Sequence, residues 1–247
     1  MSEENVESKT ELLSYLSHEM RSALNIIMAS CTLAANRIDD KSRVQEHLKR
    51  ICSTVDHLTR LLDDYLTICR IRDGESFLAE EEFAISDLGE ELRLLMEPLA
   101  FEKDICFMVT AEQFVNIDVV GDHGRLLQIL INLTANSIKY TPEGGTVLVN
   151  FEEINNNESE DESLVPCRIT CADNGIGISE DFLKKIFQPF VRSDDIRVTK
   201  THGTGLGMSI VKDAVDSMGG SIHIDSMINV GTTVTVMLKL KKNIRKG

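Results

Sequence analysis

The chain has 247 residues, of which 42% are hydrophobic and 27% are charged, and its formal net charge at pH 7 is −14. These values are typical of a soluble globular protein of one or two domains. The acidity argues against nucleic acid as a partner, because binding a phosphate backbone needs a net basic face. A nucleotide site stays compatible with it, since such a site needs only a few local cations and backbone N–H groups.

The cysteine pattern and the hydropathy predict where the chain is found. None of the six cysteines forms a C-x-x-C pair, which favours reduced thiols over a disulfide framework. No apolar run approaches the ~18 residues of a membrane span, and the first residues lack a signal-peptide pattern. We therefore expect a cytoplasmic chain without membrane contact of its own. A membrane sensor in a longer parent protein remains open.

The first 75 residues are predicted to form an antiparallel helical hairpin. Helices are expected at about 5–36 and 44–72, joined by the polar segment 36–42. One hairpin cannot cover its own apolar stripe, so we expect two copies to pair as a homodimeric four-helix bundle. Contact with the second domain is the alternative. The second helix carries apolar or semi-apolar residues at alternating steps of four and three, a heptad seam: Val44, Leu48, Ile51, Val55, Leu58, Leu62, Tyr65 and Cys69.

Residues 76–247 are predicted to form a second domain, an α/β sandwich with one mixed sheet and helices on one face. The chain as a whole is thus an α+β protein. An acidic hairpin loop is expected at 155–163, where no residue is apolar. The expected helices lie at 86–104, 122–138 and 206–217. The expected strands lie at 105–110, 115–121, 146–154, 167–174, 221–226 and 232–240.

Two polar motifs lie on predicted helices. SYLSHEMRSALN, at 14–25, places His18 beside Glu19 in the first helix, and a neutral imidazole ring offers a nucleophilic lone pair. NLTANSIKYT, at 132–141, places Asn132, Asn136 and Lys139 at i, i+4 and i+7, on one helix face. Surface decoration is the ordinary role of each of these residue types, so neither motif is decisive alone.

Two glycine loops complete the pattern. DNGIGI, at 173–178, follows a strand, where Asp173 can accept a hydrogen bond from an adenine amino group. Gly175 and Gly177 permit positive φ and a close backbone approach. HGTGLGMSI, at 202–210, opens a helix after Gly203, Gly205 and Gly207, as expected for a phosphate cradle. The spacing is neither that of a Rossmann fold nor that of a Walker A loop.

In this order the four motifs resemble the sensor histidine kinases of two-component signalling, over nearly the full chain. The resemblance implies that His18 is the phosphoacceptor and that Glu19 accepts the ring proton. Ala23 replaces the proline usual in the family, which predicts a less kinked helix. Ser22 lies where the family often has Thr or Asn, a position associated with dephosphorylating the partner, so phosphatase activity is left open.

The second domain resembles the ATP-binding domain shared by histidine kinases, DNA gyrase, MutL and the heat-shock chaperone ATPases. The resemblance assigns Asn136 to Mg²⁺, places Asn132 and Lys139 towards the phosphates, and sets Tyr140 at the nucleotide border. Residues 186–202 match the phenylalanine box and the ATP lid. The resemblance implies further nucleotide contacts from these two motifs and from the second glycine loop. Phe187 and Phe190 are the expected lid anchors, and Arg192 is expected to reach the γ-phosphate, with Arg197 and Lys200 as weaker candidates. Thr204 and Leu206 are expected beside the glycines. His202 replaces a frequent glycine.

The resemblance implies an ATP-dependent kinase that phosphorylates His18 and passes the phosphoryl group to an aspartate of a response regulator, with ATP and Mg²⁺ as cofactors. Three alternatives are kept: a signalling scaffold that only dimerises and docks a regulator, an ATPase of the same fold that does not phosphorylate histidine, and a protein whose main output is regulator dephosphorylation.

Overall fold

The computed structural model describes residues 3–72, 78–111, 118–154, 163–191, 193, 195 and 204–243. The chain separates into two compact units, Met1–Asp73 and Gly74–Gly247. Part of the predicted strand at 115–121 and most of the predicted acidic loop lie outside the described residues. Within the described helices, none is both long and apolar enough to cross a membrane.

The first unit is a hairpin of two long helices, α1 (Glu3–Ala35) and α2 (Lys41–Arg72). The turn between them closes with a hydrogen bond from the Asp40 N–H to the Arg37 carbonyl (2.9 Å). The Asp40 side chain then caps α2 by accepting from the Arg43 N–H (3.2 Å). Ala23 and Ser30 are buried on the face that α1 turns inward. The predicted hairpin is confirmed.

The heptad seam of α2 is divided between two faces. Val44, Ile51, Leu58 and Tyr65 are half-buried, and Leu61, outside the seam, is the most buried described residue of α2, at 1% exposure. The remaining described members of the seam are exposed, between 45% and 52%: Leu48, Val55 and Leu62. The helix therefore packs on α1 with one side of the seam and leaves the other side apolar and uncovered. The side chain of Cys69 is not described.

The second unit is a mixed sheet covered by helices. Its elements are β1 (Glu81–Ala84), α3 (Ile85–Glu102), β2 (Cys106–Thr110), β3 (Asp118–Gly121), α4 (His123–Tyr140), β4 (Thr146–Glu153), β5 (Leu164–Asp173), α5 (Glu180–Leu183), α6 (Gly207–Ser217), β6 (Ser221–Met227) and β7 (Gly231–Lys242). The strand order is β1-β3-β7-β5-β4-β2, with β6 also paired to β7. The β2–β4 pair is parallel and the other described pairs are antiparallel. The predicted mixed α/β sandwich is confirmed.

The core forms because β4, β5 and β7 alternate buried and less buried residues along their length. The inward residues, such as Phe151 and Val236, pack with the apolar sides of α3, α4 and α6. Asp122 fixes the start of α4 by accepting from the Arg125 N–H (2.9 Å). The same carboxylate accepts from the Ala79 N–H (3.1 Å), which ties the start of this unit to α4.

The observed elements depart from the sequence expectations at short elements and at element ends. β1 and α5 have only four residues each and were not predicted, because so short a segment shows no periodicity. β5 begins at Leu164, three residues before the expected start. Pro98 lies inside α3 on its exposed side, where water can satisfy the backbone carbonyl that the proline leaves without a donor.

Candidate active site

His18 lies on the outer face of the hairpin. Its side chain is 79% exposed, and its Nδ1 lies 3.7 Å from Glu19 Oε1. Ser22, one turn further along α1, is exposed as well. Ala23 is buried, and α1 runs through this position without interruption. The structure therefore presents the His18 ring to solvent with a carboxylate close enough to interact with Nδ1.

In the second unit, the asparagine face of α4 meets the first residue of α6. A Cβ built on Gly207 would lie 2.9 Å from Asn132 Oδ1 and 3.9 Å from Asn136 Nδ2. A side chain at Gly207 would displace the Asn132 amide, so glycine keeps the space next to the two amides open. The structure thus brings together Asn132, Asn136 and the N-terminus of α6, whose free N–H groups and dipole favour an anion.

The C-terminal end of α4 carries Lys139 and Tyr140. The Lys139 ammonium lies 4.8 Å from the centroid of the Tyr140 ring, a cation–π distance. Lys103 holds this end of the helix, since its Nζ donates to the carbonyls of Ile138 (2.8 Å) and Lys139 (2.6 Å). Burial lowers the pKa of Lys103. A positive charge at a helix C-terminus is favourable for the helix dipole.

Asp173 ends β5 beside this helix. Its Oδ1 accepts from the Gly175 N–H (2.9 Å), and its Oδ2 accepts from the Ser137 hydroxyl (2.9 Å). Burial raises the pKa of Asp173, and the hydrogen bonds from Gly175, Ser137 and the Thr232 backbone act in the opposite direction. The carboxylate is thus held from two sides in a partly desolvated position.

The first glycine loop packs against two other segments. A Cβ on Gly175 would lie 2.7 Å from the Tyr140 carbonyl oxygen, and the Ile176 N–H donates to that oxygen (3.2 Å). Gly177 has a φ of +68°, and a Cβ there would lie 2.0 Å from the Met227 carbonyl oxygen at the β6–β7 turn. The loop is consequently clamped between the end of α4 and that turn.

The second glycine loop is joined to the phenylalanine segment. The Phe190 N–H donates to the Gly205 carbonyl (2.9 Å), and a Cβ on Gly205 would lie 2.9 Å from the Phe190 carbonyl carbon. Phe190 itself has a φ of +64°, unusual for a bulky residue. The Thr204 hydroxyl accepts from the Leu206 N–H (3.2 Å), and Leu206 is buried. Phe187 is half-buried.

Several predicted residues lie outside the part of the chain that the structure describes: Arg192, Arg197, Lys200, His202 and Gly203. Two residues with clear structural roles at the site were missed by the sequence reasoning. Ser137 contacts Asp173, and Lys103 contacts the end of α4. A polar residue at a buried helix position was the available signal for Ser137, whereas Lys103 had none.

The comparison with known families agrees with this architecture. Residues 121–242 match the family of histidine kinase-, DNA gyrase B- and HSP90-like ATPases. Residues 8–74 match the His Kinase A phosphoacceptor domain. An ATPase domain preceded by a phosphoacceptor hairpin defines the class as protein kinases that act on histidine. The chain belongs to the sensor histidine kinases of two-component signalling.

Curated relatives cover nearly the whole chain. The autoinducer 2 sensor kinase/phosphatase LuxQ of Vibrio harveyi is 29% identical over 98% of this chain and 28% of its own length. The sensor histidine kinase GacS of Pseudomonas protegens is 32% identical over 95% of this chain and 25% of its own length. The chain therefore spans about a quarter of the length of these relatives.

The solved structures that resemble this one include those of ShkA and ThkA. Full-length ShkA in complex with AMPPNP is 28% identical and has a TM-score of 0.67, covering 94% of this chain and 46% of its own. The catalytic domain of the histidine kinase ThkA is 29% identical and has a TM-score of 0.53, covering 64% of this chain and 94% of its own.

Proposed function

We propose that the chain transfers the γ-phosphoryl group of ATP to His18 and then to an aspartate of a response regulator. In this proposal residues 1–75 work as the dimerisation and phosphotransfer domain, and residues 76–247 work as the ATP-binding domain. The observation that carries it is the close approach of Asn132 and Asn136 to the N-terminus of α6 at Gly207. In the proposed site, this close approach forms a polar end that favours an anion, and Asp173 forms the other end.

The nucleotide is proposed to lie with its adenine towards Asp173 and its phosphates towards α6. Asp173 offers a fixed carboxylate to the adenine amino group. Lys139 supplies positive charge on the phosphate side, and Tyr140 borders the nucleotide. Thr204, Gly205 and Leu206 belong to the loop that crosses the phosphates. The AMPPNP-bound ShkA structure supports a nucleotide in a domain of this kind.

The donor set of α4 fits a magnesium ion. Mg²⁺ prefers oxygen ligands and is usually held by one or two protein groups together with substrate phosphates. The amide oxygen of Asn136 is such a ligand, and Asn132 lies close to the same space. When bound, the ion neutralises charge that develops on the phosphates.

The acceptor chemistry follows from the exposure of His18. A neutral ring attacks the γ-phosphorus through a ring nitrogen, so a nitrogen–phosphorus bond forms while the bond to the bridging oxygen breaks and ADP leaves. Glu19, 3.7 Å from Nδ1, stabilises the positive charge that develops on the ring and takes the proton from that nitrogen. Positioning supplies most of the acceleration in such transfers.

The hairpin is proposed to form a homodimer through the uncovered apolar side of α2. Leu48, Val55 and Leu62 recur every seven residues and are exposed in a single copy. Pairing two hairpins would bury this stripe in a four-helix bundle. We further propose a cytoplasmic location, which suits both the need for ATP and the free thiols found among the described cysteines.

A second candidate activity is dephosphorylation of the regulator. Ser22 presents an exposed hydroxyl one turn after His18, where it can hold a water molecule. The relative LuxQ is named as both kinase and phosphatase. A phosphatase role would use the same face of α1.

The test is incubation with γ-labelled ATP and Mg²⁺, followed by acid and base treatment. We expect acid-labile, base-stable label on the wild type, and none on His18→Ala or Asn136→Ala. His223→Ala is the matched control, because that side chain is also exposed, at 73%, but lies in the second unit. Nucleotide binding without any label would contradict the kinase proposal and favour a scaffold or phosphatase.

A further inference from the structure

Backbone groups of Gly175 and Thr232 and the side chain of Ser137 hold the carboxylate of Asp173. The Gly175 N–H that binds Oδ1 lies only two residues away in sequence, so this bond is local to the loop. The Ser137 hydroxyl that binds Oδ2 comes from α4, 36 residues away in sequence. Rotation of the carboxylate about its Cβ–Cγ bond would break both bonds. The hydroxyl therefore fixes the orientation of Asp173 relative to α4.

Ser137 is itself held by a neighbour on β5. Its Oγ lies 3.4 Å from Cys171 Sγ. A serine hydroxyl has one proton and two acceptor positions, and the proton is committed to Asp173. The Cys171 thiol is consequently the donor, and it keeps its proton because burial raises its pKa to about 11. A buried chain of hydrogen bonds thus runs from Cys171 through Ser137 to Asp173.

The position of Ser137 on α4 connects the two ends of the proposed site. It follows Asn136, the residue proposed to bind the metal, and precedes Lys139 by two positions. Ser137 is only 5% exposed, and its side chain reaches Asp173 rather than solvent. One helix, α4, carries the Asn132 and Asn136 amides on the phosphate side and also the Ser137 hydroxyl. The hydrogen bond from Ser137 therefore fixes the position of the Asp173 carboxylate relative to these amides.

We propose that Ser137 is a positioning residue that orients the Asp173 carboxylate for the amino group of adenine, and that it thereby sets the preference for adenine. This inference rests on the proposed ATP-binding function. A purine without a 6-amino group makes no hydrogen bond with this carboxylate, so its binding does not depend on how Asp173 is oriented. Loss of the Ser137 hydroxyl removes the bond from α4 and leaves Asp173 with backbone donors alone, at Gly175 and Thr232, so the orientation of the carboxylate relative to α4 is no longer fixed.

The test compares two nucleotides on the intact chain with Mg²⁺: ATP and purine riboside triphosphate, which lacks the 6-amino group. We expect Ser137→Ala to weaken ATP binding by about tenfold, the size expected for a hydrogen bond to a charged group. Binding of the purine riboside triphosphate should stay the same. Ser217→Ala is the matched control, because that hydroxyl donates within α6, to the Ala214 carbonyl (2.8 Å), and it should change neither affinity.

The outcomes separate the inference from the function beneath it. If Ser137→Ala weakens both nucleotides equally, the residue has a structural role only and the inference is overturned. The inference is also overturned if the variant keeps the wild-type preference for ATP. If the wild type binds neither nucleotide, the proposed ATP-binding function fails. If it binds both equally well, the proposed contact between Asp173 and adenine fails. Thermal unfolding of each variant establishes that the fold is intact.

Discussion

Replacing Gly177 by alanine tests whether the first glycine loop must lie against the β6–β7 turn. Gly177 has a φ of +68°, and a Cβ there would lie 2.0 Å from the Met227 carbonyl oxygen and 2.6 Å from its carbon. Gly144 provides a matched control. Its φ is +77°, and a Cβ there would meet no described atom within 4 Å. The two variants share the backbone penalty and differ in the collision.

The magnitudes follow from these contacts. A left-handed conformation costs alanine about 1–2 kcal/mol, part of which is offset because alanine restricts the unfolded chain. We therefore expect Gly144→Ala to lower the free energy of unfolding by ~1 kcal/mol. In Gly177→Ala the Met227 oxygen must also move by roughly 1.5 Å to reach van der Waals distance. That movement endangers the bond from the Asn229 N–H to the Ile176 carbonyl (2.8 Å), so the total loss should reach about 2–4 kcal/mol.

The assay is urea unfolding of the intact chain, monitored by circular dichroism. The unfolding transition that shifts when ATP is added is assigned to the second unit. ATP affinity is measured in parallel, and only Gly177→Ala should lower it. For a unit of this size, 1 kcal/mol corresponds to a change of about 2–4 °C in Tm. Equal losses of stability in the two variants would refute the reasoning, because the collision would then contribute nothing.

Three further predictions concern other parts of the chain. Lys103→Met should weaken ATP binding and lower the free energy of unfolding by about 1–2 kcal/mol, because the last carbonyls of α4 lose their charged donor. Calorimetry measures both quantities, and an unchanged ATP affinity would argue against a role for this cap. Asp173→Asn should lose ATP affinity. Burial raises the folded-state pKa of Asp173 above the ordinary value of an aspartate. The contribution of this group to stability is therefore present below that ordinary value and is lost as the pH rises through the folded pKa. Urea unfolding should show that the stability of the variant relative to the wild type increases with pH, and a decrease with pH would contradict this sign. Leu62→Lys should give monomers in analytical ultracentrifugation while Ser53→Lys, also at an exposed position of α2, stays dimeric; dimers of Leu62→Lys would place the interface elsewhere.

Local pattern was enough to predict most elements and the proposed residues on them. Helix geometry alone puts Asn132, Asn136 and Lys139 on one face, because residues at i, i+4 and i+7 lie above one another. The strands predicted at 146–154 and 232–240 likewise lie within two residues of the observed bounds of β4 and β7. β1 escaped notice because its four residues become a strand only by pairing with β3, for example Phe83 with Val119.

The heptad seam of α2 shows where pattern becomes ambiguous. The steps of four and three correctly marked an apolar stripe, yet that stripe serves two faces, one towards α1 and one uncovered. Leu61 is buried although it lies outside the seam. A stripe wide enough to touch two neighbours looks the same in sequence as a stripe that touches one, so only the packed hairpin separates them.

The sequence by itself determined the type and order of the longer elements, the histidine motif and the glycine positions, since these depend on residues a few places apart. Only the tertiary structure decided which distant groups meet. Gly207 reaches Asn132, Ser137 reaches Asp173, and the turn after β6 closes on Gly177. These contacts arise from the strand register and from the packing of α4 and α6 on the sheet, and such long-range geometry leaves no periodic signal in the chain.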